Sequence, residues 1–81
     1  MRVRVLVVLK GEVLDPQGQA IQKACASLGH EQVKDVRQGK LFEIEWEGGD
    51  REGAEQALQE IAEKLLANPV IEDFRIESIQ A

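Results

Sequence analysis

The sequence predicts an α+β domain whose elements follow the order βαββαβ. Residues 1–10 alternate between two faces with the period of two that a β-strand requires. Apolar residues recur at intervals of three and four in residues 16–28 and again in residues 51–66, as on one face of an amphipathic helix. Residues 32–47 and 70–79 return to a strand-like pattern. The expected fold therefore contains four strands and two helices.

The first strand and the first helix have clear local signals. Four residues of the strand face one way and are expected to enter the core: Val3, Val5, Val7 and Leu9. Asp15 can cap the helix, and Pro16 is favoured at its first position because the N–H that proline lacks would be unpaired there. Gly29 is expected to end the helix. The apolar stripe of this helix consists of Ile21, Ala24, Cys25 and Leu28.

The region between the two helices predicts a hairpin that turns at Gln38-Gly39-Lys40. Its second strand is regular, with three side chains that face the core: Phe42, Ile44 and Trp46. Its first strand is less regular, because Val33 and Val36 are three positions apart and would face opposite sides of a regular strand. This spacing indicates a bulge or a late strand start.

The last two elements complete the predicted architecture. Asp50 is expected to cap the second helix, and Asn68-Pro69 is expected to end it before the final strand. Right-handed crossovers then give a ferredoxin-like βαββαβ sandwich. Its four-stranded antiparallel sheet most often has the spatial order 4-1-3-2, with both helices on one face. At this length the chain is expected to form a single domain, residues 1–81.

Composition limits the classes of partner. The formal net charge of −5 argues against nucleic acid and against anionic membranes. Cys25 is the single cysteine, which excludes an internal disulfide and fits a reducing compartment, so we expect the cytoplasm. A domain of this size buries only about 60 to 65% of the surface that its unfolded chain exposes. Self-association is therefore expected.

The chain is not expected to carry catalytic residues, a metal site or a bound cofactor. His30 is the only histidine and follows a helix-ending glycine, so a solvated loop residue is favoured over a general base. Cys25 lies on an apolar helical stripe, which favours a buried, inert thiol over a nucleophile. One cysteine and one histidine do not supply the soft ligands of a zinc site.

The helix-free face of the predicted sheet combines charged and apolar positions. Antiparallel pairing of the first and third strands is expected to place Arg2 near Glu47 and Arg4 near Glu45, as cross-strand ion pairs. Farther along this face, a contiguous apolar patch predicts an interface between copies of the chain. Its members are Leu6, Val8, Leu41 and Ile79.

Three stretches carry a resemblance to a known family. They are residues 13–20 (VLDPQGQA), 33–40 (VKDVRQGK) and 63–74 (EKLLANPVIEDF). Together they resemble the PurS subunits of phosphoribosylformylglycinamidine synthase, in the right order and over nearly the whole chain. The resemblance implies a role in the fourth step of de novo purine biosynthesis.

The resemblance also implies partners. In this family a large synthetase subunit uses ATP and Mg²⁺ for amidation, a glutaminase subunit releases ammonia, and the small subunit is a dimer or tetramer that bridges them without catalytic residues or a cofactor of its own. The candidate partner contacts are Asp15, Pro16, Gln17, Gly18, Arg37, Gly39, Lys40, Asn68 and Pro69. For each of them, turn and cap chemistry is an equally good interpretation.

Two other functions are compatible with the residues. One is a small, dimeric, ferredoxin-like regulatory module that binds a metabolite at its interface, which the fold alone permits. The other is a stand-alone enzyme similar to muconolactone isomerases, which is disfavoured because the histidine and acid pair that it needs is missing.

Overall fold

The computed structural model describes the backbone of residues 1–80 and the side chains of residues 1–77. The elements are β1 (Arg2–Leu9), α1 (Pro16–Ser27), β2 (Gly39–Glu45), α2 (Arg51–Ile61), which continues as a π-helical turn over Ala62–Leu66, and β3 (Glu72–Gln80). The chain is thus α+β, with two helices and an antiparallel sheet. No helix formed by the described residues combines the length and the apolarity needed to cross a membrane.

The sheet of the described chain has three strands instead of the predicted four. Both outer strands pair antiparallel with β1, in the order β2-β1-β3. Residues 32–37, which were expected to form the first strand of the hairpin, belong to no strand, and no turn is present at Gln38-Gly39-Lys40. The reason is that the N–H of Gln38 donates to the Asp15 carboxylate at 2.6 Å, while Gly39 already pairs with Val8 as the first residue of β2.

The core lies between the sheet and α2. Val3, Val5 and Val7 of β1 are fully buried there, which confirms the predicted inner face of the first strand. From the helical side they meet Ala54, Leu58 and Ala62. Burial of a valine or leucine side chain contributes about 1.5–3 kcal/mol each, so this layer is the main source of stability in the single chain.

Helix α1 contributes little to this core. Its capping is as predicted, because Asp15 accepts from the N–H of Gly18 and Pro16 occupies the first turn. Gly18, however, is its only buried residue. Ile21 is 47% exposed and Leu28 is 76% exposed, so the expected core-facing stripe meets solvent in one chain. The radius of gyration, 16.1 Å, exceeds the roughly 12 Å expected for a compact domain of this length.

The helix-free face carries the expected ion pairs in a different register. Arg2 donates to Glu45 at 2.8 Å, and Arg4 lies 3.6 Å from Glu43. The sequence predicted Glu47 and Glu45 as the partners. The pairing is displaced by two residues because β2 starts at Gly39, opposite Val8, and its last paired residue is Glu45.

Candidate partner-docking site

The start of α1 is joined to residues 33–38 by the Asp15 carboxylate. This side chain is 4% exposed. One of its oxygens accepts from the N–H of Gly18 at 3.0 Å, and the other accepts from the N–H of Gln38 at 2.6 Å. The bond from Gln38, followed by the bond from Gly18, lowers the pKa of Asp15 because both stabilise the ionised carboxylate. One carboxylate therefore caps a helix and positions a segment 23 residues away.

Gly18 is required by a close approach between backbones. A Cβ atom at this position would clash with the carbonyl oxygen of Val36 and would stand 2.5 Å from the Asp15 carboxylate. A second glycine, Gly39, has the same role at the sheet, since a Cβ there would lie 2.8 Å from the carbonyl oxygen of Val7. Because these glycines lack a Cβ atom, Val36 can approach α1 closely and Gly39 can approach β1 closely.

Two side chains make three further hydrogen bonds that hold the same segment against α1 and the connection before it. The guanidinium of Arg37 donates to the carbonyl oxygens of Lys10 and Val13, at 3.0 and 2.9 Å. The amide of Gln22 donates to the carbonyl oxygen of Lys34 at 2.9 Å. Helix α1 and residues 33–38 thus form one unit, which we call the α1 unit.

The third stretch meets the start of β2 through Glu72. One oxygen of its carboxylate lies 3.5 Å from Nζ of Lys40, and the other accepts from the N–H of Asn68 at 2.7 Å. Asn68 in turn accepts from the N–H of Val70 with its side chain, at 3.0 Å. The turn that contains Asn68 and Pro69 is thereby fixed to the start of β2.

A shallow pocket of about 180 Å³ lies where the three stretches meet. Its lining consists of Val7, Leu9, Asp15, Gln17, Gln38, Gly39, Lys40 and Glu72. Pro69 lies apart from it, in a wider groove of about 750 Å³ that runs between α2 and β3. Lys40 and Gln17 are exposed at the small pocket.

The structure separates the candidate contacts by their bonding. Asp15 and Gly18 are buried, whereas Arg37 and Asn68 are exposed although their side chains bond to the backbone of the chain, and Gly39 is exposed at the start of β2. Pro16, Gln17, Lys40 and Pro69 remain exposed at the surface. Contact with a partner subunit stays a prediction for all nine.

Sequence reasoning did not single out Glu72 as a site residue. A signal was available, because Glu72 lies two and four positions before Phe74 and Ile76. It therefore lies on the same face of the strand as these two residues, which face the core. A carboxylate at an inward position needs a partner, and the structure supplies Lys40 and Asn68.

The predicted self-association patch lies on the open face of the sheet. Leu6 and Val8 are half-buried by their neighbours, and Leu41 is 54% exposed. The side chain of Ile79 lies outside the described residues. Leu6 and Leu41 are cross-strand partners, so these two form the centre of the patch.

The described residues contain no group of three or more His, Cys, Asp or Glu side chains placed to hold a metal ion. His30 is exposed, as the sequence indicated. Cys25 is a free thiol and is half-buried, so the expectation of a fully buried thiol is not met in the single chain.

The fold and the site define a small α+β domain whose three sequence stretches converge on one end of a sheet. The model of the family described as PurS, phosphoribosylformylglycinamidine (FGAM) synthase, matches residues 2–80. The PurS subunit of Bacillus subtilis is 50% identical over 94% of this chain and 89% of its own length.

Solved structures show the same relationship. Thermus thermophilus PurS superposes with a TM-score of 0.88 at 36% identity, covering 99% of this chain and 94% of the other. A structure of PurLQS from Thermotoga maritima contains a chain with a TM-score of 0.84 at 27% identity, with 98% and 99% covered. This chain belongs to the PurS family of FGAM synthase subunits.

Gly18→Ala is expected to destabilise the chain, by about 1–3 kcal/mol, because the added methyl group forces Val36 away from α1. Gly11→Ala is the matched control, since a Cβ there has no neighbour within 4 Å. Urea unfolding of both variants measures the difference. Equal midpoints for the two variants would contradict the close approach.

Asp15→Ala is expected to lower the urea midpoint at pH 7 because both bonds to the carboxylate are lost. The pKa of Asp15 is lowered on folding, so its stabilisation is complete above the ordinary value of 3.8 and disappears as the pH falls through the folded value. The gap between wild type and variant should therefore shrink below about pH 3.8. A gap that stays constant from pH 7 to pH 2.5 would show that the charge of Asp15 is not involved.

Proposed function

We propose that this chain is the non-catalytic subunit that bridges the glutaminase and the ATP-dependent synthetase subunits of FGAM synthase. The observation that supports it most strongly is the convergence of the three family stretches, which are far apart in sequence, on one end of the sheet around Lys40 and Glu72. The Thermotoga maritima neighbour, described as PurLQS, is a complex that includes such a chain. ATP and Mg²⁺ would be used by the synthetase partner.

The bridging role has a physical rationale in the chemistry of ammonia. Ammonia released into water at pH 7 is mostly protonated, and ammonium is a poor nucleophile. A closed interface between the subunit that releases ammonia and the subunit that consumes it keeps the molecule neutral and reactive. The contribution of this chain to ammonia transfer is then geometric.

The docking surface would use the exposed members of the candidate set whose side chains are not bonded to the backbone of the chain. Gln17 and Lys40 lie at the small pocket, and Pro16 lies at the exposed start of α1. Pro69 adds a contact at the neighbouring groove. The engaged residues, such as Asp15 and Arg37, would act by holding this surface in shape.

Self-association would accompany this role, as a dimer or tetramer. Leu6, Val8, Leu41 and Ile79 are the proposed oligomer interface on the open face of the sheet. The four-stranded, ferredoxin-like sandwich would be completed in the assembly, since the described residues of one chain form three of its strands. The free thiol of Cys25 favours the reducing environment of the cytoplasm.

Reconstitution tests the bridging role. The synthetase and glutaminase subunits are mixed with and without this chain, and product formation is measured with glutamine and, separately, with ammonium. We expect glutamine-dependent turnover to require the chain and ammonium-dependent turnover to be independent of it. Equal glutamine-dependent rates in both mixtures would refute the proposal.

The docking surface is tested in the same assay with the double variant Gln17→Ala and Lys40→Ala. We expect glutamine-dependent turnover to fall about tenfold or more at limiting chain concentration, with ammonium-dependent turnover unchanged, because assembly is weakened. Arg51→Ala is the charge-matched control, since Arg51 lies at the start of α2, away from the small pocket, and pairs with Glu55. An unchanged double variant would show that the partners dock elsewhere.

A further inference from the structure

The alternation of hydrogen bonds in the sheet shows which backbone groups of β3 face outward. The amino group of Met1 donates to the carbonyl oxygen of Trp46 at 3.1 Å, and the N–H of Trp46 donates back to Met1 at 2.8 Å. This pair continues the register of β1 and β2, so odd-numbered residues of β1 bond to β2. The N–H of Lys10 donates to the carbonyl oxygen of Ile71 at 2.9 Å, in continuation of the register of β1 and β3. Even-numbered residues of β1 therefore bond to β3.

Phe74 and Ile76 consequently turn their backbone groups away from β1. They lie opposite Val7 and Val5, two odd-numbered residues whose backbone groups bond to β2. Among the described residues, no further strand lies beside β3, because the order of the sheet is β2-β1-β3. The N–H and C=O groups of Phe74 and Ile76 are thus open to pairing with the backbone of another extended chain.

This edge of β3 opens into the wider groove between α2 and β3. Residues 72–76 line the groove without interruption, so it follows the strand along its length. Phe74 and Ile76 are half-buried and form the apolar part of the lining together with Ala67, while Gln59 lines the groove from α2. Side chains directly opposite each other on paired strands point to the same side of a sheet. A strand added at this edge would therefore place alternate side chains in the groove.

The charges of the groove do not favour a small anion. Its lining contains three basic and three acidic residues, so it has no net formal charge that would attract a phosphate or a nucleotide. Backbone hydrogen bonds do not need such a charge, so a polypeptide fits the groove better. Each basic residue also lies beside a carboxylate, in the pairs Lys10–Asp73 at 3.5 Å, Lys64–Glu60 at 3.1 Å and Arg75–Glu77 at 2.7 Å.

The groove is continuous with the proposed docking surface. Glu72 lines both the groove and the small pocket, at which Gln17 and Lys40 are exposed. Pro69, an exposed member of the candidate set, lines the groove itself. A subunit that covers the small pocket therefore lies next to the free edge of β3.

We propose that a partner subunit adds an extended segment as a further strand along the outer edge of β3. The backbone of this segment pairs with Phe74 and Ile76, and apolar side chains at its alternate positions fill the groove against Ala67. Main-chain hydrogen bonds supply affinity in this mode of recognition, and the pockets for alternate side chains supply specificity. The proposal rests on the proposed function, since the segment belongs to a subunit of the same complex.

Hydrogen exchange tests the added strand directly. Exchange of residues 72–77 is followed by mass spectrometry in the chain alone and in its mixture with the synthetase and glutaminase subunits, with assembly verified by sedimentation velocity. We expect the outward amides of Phe74 and Ile76 to exchange about tenfold or more slowly in the complex. The turn at Gly48 and Gly49, which lies outside the groove lining, is the control and should keep its rate.

Three results of this experiment would overturn the proposal. The first is unchanged exchange of residues 72–77 in an assembled complex. The second is a mixture in which the chain associates with neither subunit. The third is slower exchange in the chain alone as its concentration is raised, because a second copy would then be the occupant of the edge.

A substitution that fills the groove gives an independent test. Gln59→Trp should raise the chain concentration needed for half-maximal glutamine-dependent turnover about tenfold or more, with the maximal rate unchanged. Gln56→Trp is the matched control, because Gln56 is also exposed on α2 but lies outside the groove lining. The two variants should unfold at the same urea concentration, so a difference in turnover reports on docking. Equal turnover curves for the two variants would contradict an occupied groove.

Failure of the added strand is distinguishable from failure of the bridging role. If glutamine-dependent turnover does not require the chain, the bridging role fails, and exchange in the mixture still decides whether the edge is occupied. If turnover requires the chain but neither the exchange of residues 72–77 nor Gln59→Trp shows the expected effect, the added strand alone is refuted.

Discussion

The Asp15 carboxylate is the interaction on which the rest of the structure depends. It accepts from Gly18 and Gln38 together, and so it fixes the start of α1 and the course of the chain into β2. The Gln38 N–H group is one that a hairpin turn would otherwise use. Because the carboxylate takes it, residues 33–38 remain with α1, and the sheet of one chain ends at β2.

The same junction explains why the family stretches lie where they do. Residues 13–20 supply the carboxylate, residues 33–40 supply the backbone that it binds, and residues 63–74 join through Glu72 and Lys40. Within the chain, residues of these stretches cap a helix, allow backbones to approach closely and form turns. Gln17 and Lys40 stay exposed on the outer surface that these bonds support, so the same bonds would give the proposed docking surface its shape.

Much of the site was accessible from sequence because capping signals are local. Asp15 before Pro16, and Asn68 before Pro69, were identified from residue types within a few positions of each other. The partnership of Arg37 with the carbonyls of Lys10 and Val13 was not accessible, because it joins residues that are more than twenty positions apart. Glu72 gave a partial signal through its inward parity, without indicating which cation would meet it.

The sequence by itself determined every element except the first strand of the predicted hairpin, and also the inner face of β1, the helix caps and the family, because each depends on periodicity or on motifs within short windows. Tertiary structure alone decided that the expected hairpin does not form and that the apolar stripe of α1 is exposed in one chain. The physical reason is that two acceptors compete for the backbone N–H group of Gln38. The Gln38 backbone can bond to a nearby strand or to a carboxylate brought in from another segment, and only the folded chain shows which partner is closer.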